Sequence, residues 1–80
     1  MSVTVVFLGK LADLAGEGER QLPAPLDWAG LRAALSGPLQ DALAQDRTRI
    51  AVNGALLADK IALLAQAGDE VALLPPVSGG

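Results

Sequence analysis

The stretch Val3-Thr4-Val5-Val6-Phe7-Leu8 is apolar on both faces and rich in β-branched residues. Such a run reads as a strand in the middle of a sheet. Glu70-Val71-Ala72-Leu73-Leu74 has the same character near the other end of the chain. The two runs predict neighbouring central strands, buried on both faces, in a mixed sheet. The rest of the fold is read outward from this pair. Gly9 ends the first run. Lys10 to Ala15 offers a turn or two of helix, with Leu11 and Leu14 one turn apart and Gly16 as the stop. Glu17 to Leu22 is short and polar, an edge strand closed by Pro23 and Pro25.

Asp27 is a good helix N-cap. Trp28, Leu31 and Leu35 follow at helical spacing and Gly37 stops that helix. Pro38 suits the first turn of a further short helix with Leu39, Ala42 and Leu43 inside. Trp28 reads as a packing residue. Arg49-Ile50-Ala51-Val52 is a strand, and Asn53-Gly54 is a strong hairpin signal, because a type I′ turn needs positive φ at both positions. Ala55-Leu56-Leu57 returns. Ala58 to Ala67, with Ile61 and Leu64, is a turn or short helix, and Gly68-Asp69 is a second tight turn. The expected fold is therefore α+β: a β-grasp, ubiquitin-like mixed sheet with one main helix packed across it. The domain runs over 1–76, and 77–80 is an extended, flexible Gly-Gly tail.

Composition narrows the chemistry. The chain has 80 residues, which suit one small domain. It contains no Cys and no His. A thiol nucleophile, a disulfide, a Cys/His metal site and an imidazole base are thereby excluded, and no metal is expected. Phe7 and Trp28 are the only aromatic residues and the net charge is −3. Stacking platforms and a basic patch are both missing, so nucleic acid is not an expected partner. Neither a secretory leader nor an apolar run of membrane-spanning length is expected, which points to the cytoplasm.

Any reactive group must then lie elsewhere, and the ending Pro75-Pro76-Val77-Ser78-Gly79-Gly80 supplies one. The two prolines stiffen the exit from the sheet. Four further residues reach at most roughly 13–14 Å. Ser78, Gly79 and Gly80 can thread a narrow channel, the glycines because they lack a Cβ. The Gly80 carboxylate is a handle that ATP can convert into an acyl-adenylate, from which a sulfur nucleophile displaces AMP. A chain without thiols can carry sulfur in that form, as a C-terminal thiocarboxylate. Val71 and Leu73 read as core. Leu74 and Val77 face outward, so Leu74, Pro75, Pro76 and Val77 form an apolar docking surface beside the tail.

The run Gly68-Asp69-Glu70-Val71-Ala72-Leu73-Leu74-Pro75-Pro76-Val77-Ser78-Gly79-Gly80 resembles the ending of the small subunit of molybdopterin synthase. Ala51-Val52-Asn53-Gly54 with Leu56 behind it is similar to that family too. So is the opening strand through Phe7, followed by Leu14 and Gly16. The resemblance spans the whole chain. It departs at Ala12-Asp13, where the family often has an Arg-Glu pair, and at Leu73-Leu74, where aromatic residues are common. It implies a non-catalytic, sulfur-donating subunit with no bound cofactor. An E1-like adenylating enzyme would activate Gly80 with ATP, and a persulfide-bearing sulfurtransferase would supply sulfur. The thiocarboxylate would enter the large synthase subunit, in a heterotetramer of two small and two large chains. There it would give sulfur to cyclic pyranopterin monophosphate and build the dithiolene. Three alternatives remain open. One is a carrier for thiamine thiazole or an amino-acid pathway, another a ubiquitin-like modifier joined to lysines through Gly80. The third is an interaction module whose glycines do nothing.

Overall fold

The computed structural model describes residues 1–76. In chain order the elements are β1 (Ser2–Phe7), α1 (Lys10–Ala15), β2 (Glu19–Pro23), β3 (Leu26–Asp27), α2 (Trp28–Ala34), α3 (Gly37–Ala44), β4 (Arg49–Val52), β5 (Ala55–Leu56), a 3-10 turn (Lys60–Ala62), β6 (Leu64–Ala65) and β7 (Glu70–Leu74). The five-stranded sheet has the order β2-β1-β7-β4-β5. β1 and β7 run parallel at its centre, with Val5 beside Val71 and Phe7 beside Leu73. Both flanking pairs are antiparallel. This is the mixed β-grasp sheet that the two apolar runs predict.

Side-chain alternation decides which face is covered. Val3, Val5, Phe7, Ile50, Val71 and Leu73 are buried beneath Leu11, Leu31, Leu35, Leu39 and Leu43 of the helical segments. The expectation that the central strands are buried on two faces is corrected here. Thr4, Val6, Ala72 and Leu74 point the other way and are only half-buried. The helices of so short a chain line one face of the core, and the other face is left open to solvent.

The helical layer comes in three short pieces, α1, α2 and α3. Asp27 caps α2 by accepting from the Gly30 N–H at 2.7 Å. The helix ends at Ala34, before Gly37, because Leu35 turns extended to stay in the core. Gln40 of α3 then donates to the carbonyls of Arg32 (2.7 Å) and Leu35 (3.1 Å), satisfying the end of α2. Leu14 in α1 faces solvent, and Leu11 alone anchors that helix in the core. The edge strand is shifted by two residues at its start, to Glu19. There Arg20 pairs with Glu17 at 2.7 Å and lies over the Phe7 ring at 5.5 Å.

The segment 58–67 contains the 3-10 turn and also β6, which pairs antiparallel with β3 in a second small sheet. Two-residue strands leave no periodicity to read, so this sheet is not visible in the sequence. Lys60 in the turn closes the end of α3. Its Nζ donates to the carbonyls of Leu43 (2.8 Å), Thr48 (3.1 Å) and Gln45. It also sits 5.6 Å from the Trp28 ring centre. Burial pushes the Lys60 amine pKa down, while Asp46 works to raise it. Thr48, the buried polar side chain of the core, donates to the Ala42 carbonyl at 2.6 Å.

Candidate functional site

The chemistry expected of this chain lies beyond β7, so the site is built from what positions the end of that strand. At its start, Asn53 takes positive φ (50°) with Gly54 (83°) in the hairpin turn. The same Asn53 accepts from the Glu70 N–H at 2.9 Å and donates to Asp69 Oδ1 at 3.0 Å. Asp69 Oδ2 accepts from the Gln66 N–H at 2.8 Å. The hydrogen bonds from Gln66 and Asn53 hold the Asp69 carboxyl below the usual carboxylate range. The hairpin and the Gly68-Asp69 turn thus lock the register with which β7 enters the sheet.

At its exit, the strand meets the β1–α1 loop. The Leu8 N–H donates to the Leu73 carbonyl at 3.3 Å. Gly9 has φ +53°, and a Cβ there would lie 3.2 Å from Pro75 Cγ. A side chain at position 9 would be strained and would press on the first proline of the tail. Gly9, which the sequence offers only as the end of a strand, therefore seats Pro75.

Leu74 lies on the open face, directly opposite Arg49 of β4. Beside this pair, Ala51 faces Ala72 on one side and Leu56 on the other. Leu74, Pro75, Pro76 and Leu56 line a shallow groove together with Arg47 and Arg49. Of the expected docking residues, the structure thus brings Leu74, Pro75 and Pro76 together. Val77, Ser78, Gly79 and Gly80 lie outside the described residues. Arg47, Arg49 and Leu56 were missed as walls of the site. Arg49 could have been found, since it alternates with the buried Ile50 and must share the open face. Its pairing with Leu74 depends on a strand register that the sequence does not display. Among the described residues no group of three or more His, Cys, Asp or Glu could hold a metal ion. No helix among them is long and apolar enough to cross a membrane.

The ThiS family matches residues 5–80 of this chain. The chain belongs to the ThiS family. This ThiS-family chain has the ubiquitin-like fold of its sulfur carriers. No curated protein sequence matches it significantly. Among solved structures, it is similar to subunit 1 or 2 in the protein-protein complex of molybdopterin-converting factor from Helicobacter pylori. That likeness has 31% identity and a TM-score of 0.67 and covers 100% of both chains. It is also similar to SAMP1 from Haloferax volcanii, at 27% identity and a TM-score of 0.72 with 100% of both chains covered. The HVO 2177 protein of Haloferax volcanii shares the fold, with a TM-score of 0.77 at 21% identity, over 100% of this chain and 87% of that one. The ThiS-family match reaches Gly80 and so includes the ending whose chemistry the sequence suggests.

Proposed function

We propose that this ThiS-family chain is the sulfur-carrying small subunit of a molybdopterin synthase, acting in the cytoplasm. An E1-like enzyme joins the Gly80 carboxylate to AMP from ATP and releases pyrophosphate. The persulfide of a sulfurtransferase then displaces AMP to give an acyl disulfide on Gly80. A second thiol of that enzyme attacks the sulfur nearer the enzyme, leaving the enzyme as a disulfide and releasing the Gly80 thiocarboxylate. The Gly80 thiocarboxylate enters the large subunit and gives its sulfur to cyclic pyranopterin monophosphate, toward the dithiolene of molybdopterin. Ser78 and Gly79 thread the channel, and Leu74, Pro75, Pro76 and Val77 dock. The large subunit supplies the catalytic residues, in a heterotetramer of two small and two large chains.

The observation that carries this reading is the similarity, at 31% identity over the full length, to a chain of the molybdopterin-converting factor complex. The apolar groove at the base of the tail supports it, since a carrier must be gripped where its reactive end enters the partner. Deleting Gly80, or adding one residue after it, tests the reading. Dithiolene formation is lost in both variants while thermal unfolding is unchanged, because the reacting carbon must sit at a fixed depth. Normal dithiolene formation by either variant refutes the proposal.

A second reading is favoured by the similarity to SAMP1 from Haloferax volcanii, which is a small archaeal modifier protein. In that reading the activated Gly80 carbonyl is joined to lysine amines of other proteins. Isopeptide-linked conjugates in cell extracts separate it from the first.

A further inference from the structure

The chain carries nine Asp and Glu against six Lys and Arg. The groove at the tail base inverts that balance, being lined among the described residues by Arg47 and Arg49 and by no carboxylate. Both arginines are exposed. Two of the other cations are used by the fold itself: Arg20 pairs with Glu17, and Lys60 donates to the carbonyls at the end of α3. Arg49 is fixed opposite Leu74 by strand register, so its charge lies beside the apolar floor.

We infer that this groove receives an acidic segment of the partner protein, an apolar side chain seated on Leu56, Leu74 and Pro75 with flanking carboxylates on Arg47 and Arg49. The inference rests on the reading above that the chain docks on a large synthase subunit. Charge complementarity selects the occupant. A neutral segment would cover two guanidinium groups without pairing them, which is costly. A carboxylate takes a guanidinium fork in bidentate fashion. An acidic partner surface is also repelled by the rest of this acidic chain, so the groove sets the orientation of docking as well as its strength. The same contact places the exit at Pro76 against the partner, which is where the tail must enter.

The test is the affinity of the full chain for the large molybdopterin synthase subunit of the same organism, measured by calorimetry at about 0.1 M and 1 M salt. Over that range the screening length falls from about 10 Å to 3 Å. The unsubstituted chain binds more weakly at high salt. The double variant Arg47→Glu/Arg49→Glu binds at least about tenfold more weakly at low salt and loses that salt dependence. The double variant Arg47→Lys/Arg49→Lys keeps the salt dependence. Thermal unfolding of each variant stays near that of the unsubstituted chain, as both side chains are exposed. An Arg→Glu pair with unchanged affinity and salt response overturns this inference and leaves the carrier reading standing. An unsubstituted chain that fails to bind overturns the docking reading and this inference with it.

Discussion

Replacing Leu74 by Asp separates docking from folding. Leu74 is half-buried on the open sheet face, while its neighbour Leu73 is fully buried on the other. Complete burial of a leucine contributes about 1.5–3 kcal/mol, so a half-buried one contributes about 1 kcal/mol. The new carboxylate would stand directly across from Arg49. A cross-strand pair of opposite charges returns about 0.2–1 kcal/mol. The net loss is then no more than about 1 kcal/mol, or about 4–8 °C in melting temperature for a domain of this size. Docking suffers more. The apolar floor is lost, Arg49 is neutralised, and the incoming acidic segment meets a like charge that must be desolvated, at several kcal/mol. With about 1.4 kcal/mol per decade, affinity for the large subunit falls by about a hundredfold or more. Calorimetric titration reads the binding and far-ultraviolet circular dichroism reads the melt. Leu73→Asp is the control, and it unfolds the domain. The reasoning is refuted if Leu74→Asp binds like the unsubstituted chain, or if it unfolds as Leu73→Asp does.

Lys60→Met removes the donor that closes the end of α3 and the cation over Trp28. Hydrogen bonds to charged groups contribute about 1.5–3 kcal/mol, and water can replace part of that at a half-exposed residue. The melting temperature falls by about 5–15 °C, and a change under about 2 °C would show that the cap is dispensable. Asp69→Asn acts through pH. Hydrogen bonds keep the folded Asp69 carboxyl below its ordinary value of 3.8. Its contribution is therefore complete above that value and is lost as pH falls through the lower folded one. Melting curves across the acid range lose part of their slope in the variant, and an unaltered slope contradicts the assignment.

The β-grasp was legible because its two central strands are long apolar runs and its turns carry decisive residues. Asn53-Gly54 takes positive φ at both positions, as the hairpin reading requires. Asp27 caps its helix, and Leu39 and Leu43 form the inner stripe of theirs. What stayed hidden depends on tertiary contact. The β3–β6 ladder is too short to have a period, and Lys60 closes a helix that ends 16 residues before it in the chain. Position 35 leaves the helix early because its burial outweighs one more turn. Burial of the central strands on both faces was overestimated because small and β-branched residues look alike in a sequence whether covered or open. At the site, the apolar residues next to the tail were evident from Leu74, Pro75 and Pro76. The walls that make them a groove come from β4 and β5, and only strand register brings Arg49 and Leu56 there.

The central claim is that Gly80 carries sulfur, and intact mass spectrometry of the protein purified from its own cells tests it most directly. Cells are harvested while they make molybdopterin, and reducing agents and alkylating agents are both kept out of the preparation. The account predicts a population heavier by the difference between sulfur and oxygen, with the change placed at Gly80 by fragmentation. A chain found only as the free carboxylate, or only as isopeptide conjugates to other proteins, would contradict it.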